Sequence, residues 1–317
     1  MKPRATFSPP YWAVIFFLLT LALTLLTAVR ENTFLEANNI TLPPQPPPET
    51  VTLWPPTPPP TTTPGTPPQP APWSALGPVL IYFIAAVVVL GVTLFIVPVS
   101  ALKAILRALF ALLFAWGVFI VLVVWLPAIA SGVVAVAIGA VWFLLPLLWV
   151  HDTVMLLAMA SVGAVFGRFL SPWTAMVVLL ALSVYDFLAV RFGYMMWMVK
   201  KMSNTTALPA FVIPRYASEW SANLRKADLA TLAQDKPSER EFSILGGGDI
   251  GFPMLLISSA YFAYGFAGSL VTAAFCLAGL LSAYALQRFV LKGRPVPALP
   301  PISVLAVIGL LIVGRVW

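Results

Sequence analysis

The chain has 317 residues, of which 60% are hydrophobic and only 9% charged, and its mean hydropathy is +0.95. A soluble domain carries about 25% charged residues, so the polar side chains here are too few to cover a water-facing surface, and the class is a polytopic membrane protein. One cysteine, Cys276, excludes an internal disulfide and a thiolate metal site, and one histidine, His151, excludes a histidine-cluster metal centre, so neither metal nor cofactor is expected.

Spans of about 20 apolar helical residues cross a bilayer. That measure predicts an all-α protein of nine transmembrane helices, at about 11–29, 75–99, 104–126, 128–149, 153–170, 172–199, 244–264, 266–290 and 299–316. The first follows a basic start, as a signal peptide would. Its apolar run is long for one and the small-residue cleavage pattern is poor, so it reads as an uncleaved helix closing an N-terminal unit, 1–42. Asn39-Ile40-Thr41 just beyond it is a glycosylation triplet. Residues 43–72 form a Pro/Thr tract, an extended and solvated linker because proline lacks the donor that helix and sheet need. Helices two to six occupy 73–199, with tight hairpins at Pro127 and at Ser171-Pro172. A polar loop at 200–243 holds an apolar stretch, LPAFVIPRYASEW, and a charged one, RKADLATLAQDKPSERE. Helices seven to nine fill 244–317.

Alternation of the nine segments sorts the 18 basic residues. Fifteen fall on the side of the N-terminus and of the 200–243 loop, and three, Arg30, Arg168 and Arg315, on the other. The positive-inside rule then places the N-terminus in the cytoplasm and the C-terminus extracytoplasmic, in a multi-pass protein of the cell membrane. The net charge of +7 is accounted for by topology, and nucleic acid is not an expected partner.

Of the eleven acidic residues, eight lie in polar segments and Asp152, beside His151, lies at a segment boundary, where the two are expected to cap or pair at a loop. The remaining two are inside predicted spans: Asp186 in LSVYDFLAV and Asp249 in GGGDIGFP. A carboxylate at a helix centre disfavours insertion by about 2.5–3.5 kcal/mol on the mildest scale, and such groups usually face a bundle interior or a wet cavity. Asp186 lies about 13 residues from the cytoplasmic end of its segment and Asp249 about 5 from the start of its own. For straight helices this is a depth mismatch of roughly 12 Å. An extended FSILGGG stretch, or a sixth segment whose cytoplasmic end, with Arg191 inside it, lies beyond the bilayer or in a water-filled cavity, closes the gap. Two carboxyls that meet in a low-dielectric site share one proton, and one ionised with one protonated carboxyl activates water against an amide. Near the last segment, RPVPALPP (Arg294–Pro301) is barred from helix by its prolines and is expected to be an extended edge. Cys276 is expected to be a buried packing residue.

These residues carry a resemblance. Tyr185-Asp186, Gly246-Gly247-Gly248-Asp249 and Pro297-Ala298-Leu299 match, in order, the YD, GxGD and PAL motifs of the presenilin and signal peptide peptidase family, and GGGDIGFP is most similar to the archaeal presenilin-like branch. The resemblance runs from about residue 75 to the end. It implies an intramembrane aspartyl protease that acts on transmembrane-helix substrates with Asp186 and Asp249 as the catalytic pair. It further implies that Gly246 and Gly248 permit close backbone approach, that Pro297, Ala298 and Leu299 shape the site, and that Tyr185 packs beside the dyad. No accessory subunit is indicated. The competing reading from the residues alone is a proton-coupled transporter using the intramembrane carboxylates as a relay, although no second copy of GGGD is present.

Overall fold

The structure is a computed structural model that describes residues 9–39, 81, 85, 88–89, 92, 99–145, 147–193, 208–214, 216, 219–224, 242–291 and 296–316. Its helices are α1 (Pro9–Ala37), α2 (Val99–Val123), α3 (Ala128–Leu144), α4 (Leu148–Phe169), α5 (Pro172–Arg191), α6 (Gly248–Ala285) and α7 (Leu299–Val316), and two strands stand between α5 and α6, β1 (Ala210–Pro214) and β2 (Phe242–Gly246). Six of the described helices are long and apolar enough to cross a membrane, and α3 is a shorter apolar one. The predicted second segment, the 43–72 tract and the charged part of the 200–243 loop lie outside the described residues, apart from isolated positions in that segment.

Several predicted boundaries are corrected. The sixth helix stops at Arg191 rather than 199, because Gly193 takes a φ of +70° just after it and ends the helix in a left-handed turn. The fifth begins at Leu148 rather than 153, which moves His151 and Asp152 from a loop into the helix near its start. The fold is not purely helical either: β1 and β2 pair antiparallel, with Ala210 opposite Gly246 and Pro214 opposite Phe242. β1 is buried along its whole length.

Segments seven and eight form α6 as two arms about Gly265, whose φ of 75° and ψ of −174° interrupt the helix. That backbone region is open essentially to glycine alone. A continuous helix would hold Asp249 and Tyr284 roughly 52 Å apart, yet the Tyr284 hydroxyl interacts electrostatically with Asp249, so the second arm folds back along the first. A five-residue π turn, Leu286–Val290, follows the second arm.

The first arm of α6 is seated on α4 by small residues facing large ones. A Cβ on Gly247 would overlap Met155, one on Gly251 would meet Met159 Sδ at 2.6 Å, one on Gly163 would meet Met254 Cβ at 2.8 Å, and one on Gly167 would meet Ser258 Cβ at 2.6 Å. The contact residues step by four along α4 and by three or four along α6, which is one face of each helix. Both series rise together, so the two helices run parallel. The second arm is seated on α7 in the same manner but antiparallel: Gly279 lies against Pro301 and Ile302, Gly309 against Phe275, and Gly268 against Val313. Without a hydrophobic drive between helices in lipid, close backbone approach of this kind supplies the packing that holds them.

Candidate active site

Both carboxylates stand near helix ends. Asp186 is five residues before the last residue of α5, and Asp249 is the second residue of α6. The depth mismatch disappears because α5 is shorter than its apolar run and because the chain is extended as β2 up to Gly246, with helix starting only at Gly248. Asp186 and Asp249 interact electrostatically across the gap between their helices.

Each acid is held by backbone donors. The Leu299 N–H donates to Asp186 Oδ2 at 3.2 Å, and the Ala298 N–H also reaches this carboxylate. These donors exist because Leu299 opens α7, where N–H groups have no partner within the helix. The expected extended edge at Arg294–Pro301 is corrected at its end: Leu299, Pro300 and Pro301 form the first turn of α7, where a proline's missing N–H costs nothing and does not compete for the carboxylate. One turn away, Ser303 Oγ donates to Ser183 Oγ at 3.1 Å, a second tie between α7 and α5 on the face of Asp186. Thus Ala298 and Leu299 touch the acid directly. Pro297 is half-buried before them.

Asp249 receives the Gly246 N–H. A Cβ on Gly246 would stand 2.9 Å from Asp249 Oδ2, so any side chain there would crowd the carboxylate, and one on Gly248 would stand 3.1 Å from the Phe252 ring. Pro253, four residues after Asp249, lacks the N–H that would close the helical bond onto the Asp249 carbonyl, so the helix is weakened on the turn that bears the acid. Tyr185 precedes Asp186 on α5 and is 41% exposed.

Gly247 is the glycine of this loop that the motif reading did not single out. Its N–H donates to Pro209 O at 2.9 Å, and its missing Cβ leaves room for Met155 and for that carbonyl, 3.0 Å from where the Cβ would be. The signal present in the sequence is the small-xxx-small spacing of Gly247 and Gly251, which the structure sets against Met155 and Met159. His151 and Asp152 also reach this region, by bonding β1: His151 Nε2 lies 2.9 Å from Ala210 O, and the Val212 N–H donates to Asp152 Oδ1 at 3.0 Å.

The sequence profile of the family described as signal-peptide peptidase, presenilin aspartyl protease matches residues 69–316. Among curated proteins compared by sequence, none matches the chain. Two crystal forms of a presenilin family intramembrane aspartate protease, in space groups P2 and C222, share the fold, with TM-scores of 0.57 and 0.56, 18% identity and 96% of each chain covered. With the family's profile spanning all three motifs and most of the chain, the protein belongs to the signal-peptide peptidase and presenilin family of aspartyl proteases, which are peptide-bond hydrolases.

Proposed function

We propose that the protein is an intramembrane endopeptidase that cuts transmembrane-helix substrates with a water activated between Asp186 and Asp249. The observation that carries this reading is the convergence of two carboxyls from separate helices, each oriented by backbone N–H groups. In the proposed reaction the ionised carboxylate takes a proton from water as its oxygen attacks the amide carbon, while the protonated partner donates to the carbonyl oxygen. Collapse of the resulting diol returns a proton to the leaving nitrogen.

A spanning helix satisfies every backbone group internally, so it must be unwound before water can reach a peptide bond. β2 supplies a place for an unwound segment. Pro209 O is taken by Gly247, which fixes the odd-numbered residues of β1 as those facing β2. The N–H and C=O groups of Phe242 and Ile244 therefore point to the opposite edge of β2, which no described strand covers. An extended substrate added there runs directly toward Asp249. The proposal includes the nine-helix topology with a cytoplasmic N-terminus and an extracytoplasmic C-terminus in the cell membrane, and it places the dyad toward the cytoplasmic side.

The test is cleavage of a transmembrane peptide by the purified protein in lipid vesicles, with products mapped by mass. Wild type is expected to cut, and Asp186→Asn and Asp249→Asn each to lower the rate by at least a thousandfold. Proton-coupled flux in the same vesicles, with cleavage unaffected by either substitution, would instead establish a transporter.

A further inference from the structure

Two buried polar residues of α4 hold the strand that leads to the site. His151 is 0% and Asp152 2% exposed. Burial of such groups is costly unless their hydrogen bonds are made. Neither bonds within its helix as a cap. The Trp142 indole N–H, which can only donate, reaches His151 Nδ1 at 3.1 Å. That leaves the imidazole proton on Nε2, which donates to Ala210 O. Asp152 Oδ1 accepts from the Val212 N–H, and its Oδ2 has no partner among the described residues.

Ala210 and Val212 are two apart in β1, and the polar groups in question lie on the edge away from β2. β1 is thus bonded on one edge to β2 and on the other to α4. The α4 end of the clamp is itself fixed, because the N–H groups of Leu148 and Trp149 donate to Ala222 O and Trp220 O. No described strand lies on the far edge of β2, and the chain reaches Asp249 three residues after β2 ends. A strand slipped by one residue turns every side chain to the opposite face and moves whatever follows it.

We propose that His151 and Asp152 are positioning residues that lock the register of β1, and through β2 set both the placement of Asp249 and the choice of substrate peptide bond. This inference rests on the protease reading above. The two residues touch no reacting atom. They act through the strand, so their loss relaxes cleavage-site selection as well as rate.

The experiment compares full-length wild type, Asp152→Asn, Asp152→Leu and His151→Phe in vesicles with one transmembrane peptide, measuring kcat, KM and the cut positions by mass. Asp152→Asn keeps an oxygen for the Val212 N–H and is expected to cut the wild-type bond at a rate within threefold. Asp152→Leu and His151→Phe are expected to lower kcat about tenfold or more, to leave KM within twofold, and to spread the products over neighbouring bonds. A folded Asp152→Leu or His151→Phe protein that cuts the single wild-type bond at the wild-type rate overturns the inference. Loss of fold in both variants also overturns it, since the pair would then be serving stability alone. Absence of cleavage by wild type is a separate result, which removes the protease reading and this inference together.

Discussion

At the scale of single residues, the site depends on missing side chains as much as on the two acids. Gly247 sits where β2 becomes α6, and a methyl group there meets both a movable neighbour, the Met155 Sδ-methyl end, and an immovable one, the Pro209 carbonyl. Overpacking of this kind typically costs about 1–3 kcal/mol. Gly247→Ala is expected to lower the thermal midpoint of the purified protein and to reduce cleavage about tenfold. Met155→Ala in the same chain is expected to restore part of the loss, because it removes the clash with the side chain and leaves the one with the carbonyl. A double-mutant cycle with no coupling between the two positions would sink this account. Sequence reading found Gly246 and Gly248 through the motif. The spacing of Gly247 and Gly251 marks a close helix approach, but only the arrival of Met155 and Pro209, far apart in the chain, makes a side chain at Gly247 costly.

At the scale of elements, α6 owes its shape to one backbone conformation. Nothing would touch a Cβ at Gly265, so the penalty of replacing it comes from φ and ψ alone. Residues held in such regions cost about 1–3 kcal/mol. Gly265→Val is expected to lower the thermal midpoint by several degrees, and because it tilts the two arms relative to each other, to lower kcat as well; an unchanged midpoint would show that the backbone relaxes freely. The second arm's seating on α7 places the α7 start, and hence the Leu299 and Ala298 donors, against Asp186. Gly279 lies against the backbone of Pro301 and Ile302, so Gly279→Val is expected to push α7 away and to abolish most of the activity, measured as kcat, while Gly132→Ala, where a Cβ meets nothing, leaves it unchanged.

At the scale of the molecule, the relative sense of the packed helices follows from which residues meet. α4 and the first arm of α6 run parallel, and the second arm and α7 run antiparallel, as alternation of the predicted segments requires. Reporter fusions at the two termini test the proposed orientation: a periplasm-dependent reporter is expected to be active on the C-terminus and inactive on the N-terminus, and the reverse pattern would invert the topology.

Composition and the apolar runs were enough to determine a multi-span membrane protein, and three short motifs were enough to identify the family, because insertion into lipid depends on residue type and the motifs on local spacing. The tertiary structure decided the rest. It showed where α5 ends, which depends on a turn at Gly193 rather than on hydropathy. It showed that an apolar stretch in a polar loop is a buried strand, which its partner β2 and the α4 residues His151 and Asp152 stabilise from opposite edges. It also brought Asp186 level with Asp249, a consequence of backbone hydrogen bonds and glycine contacts between segments distant in the chain, which no local pattern encodes.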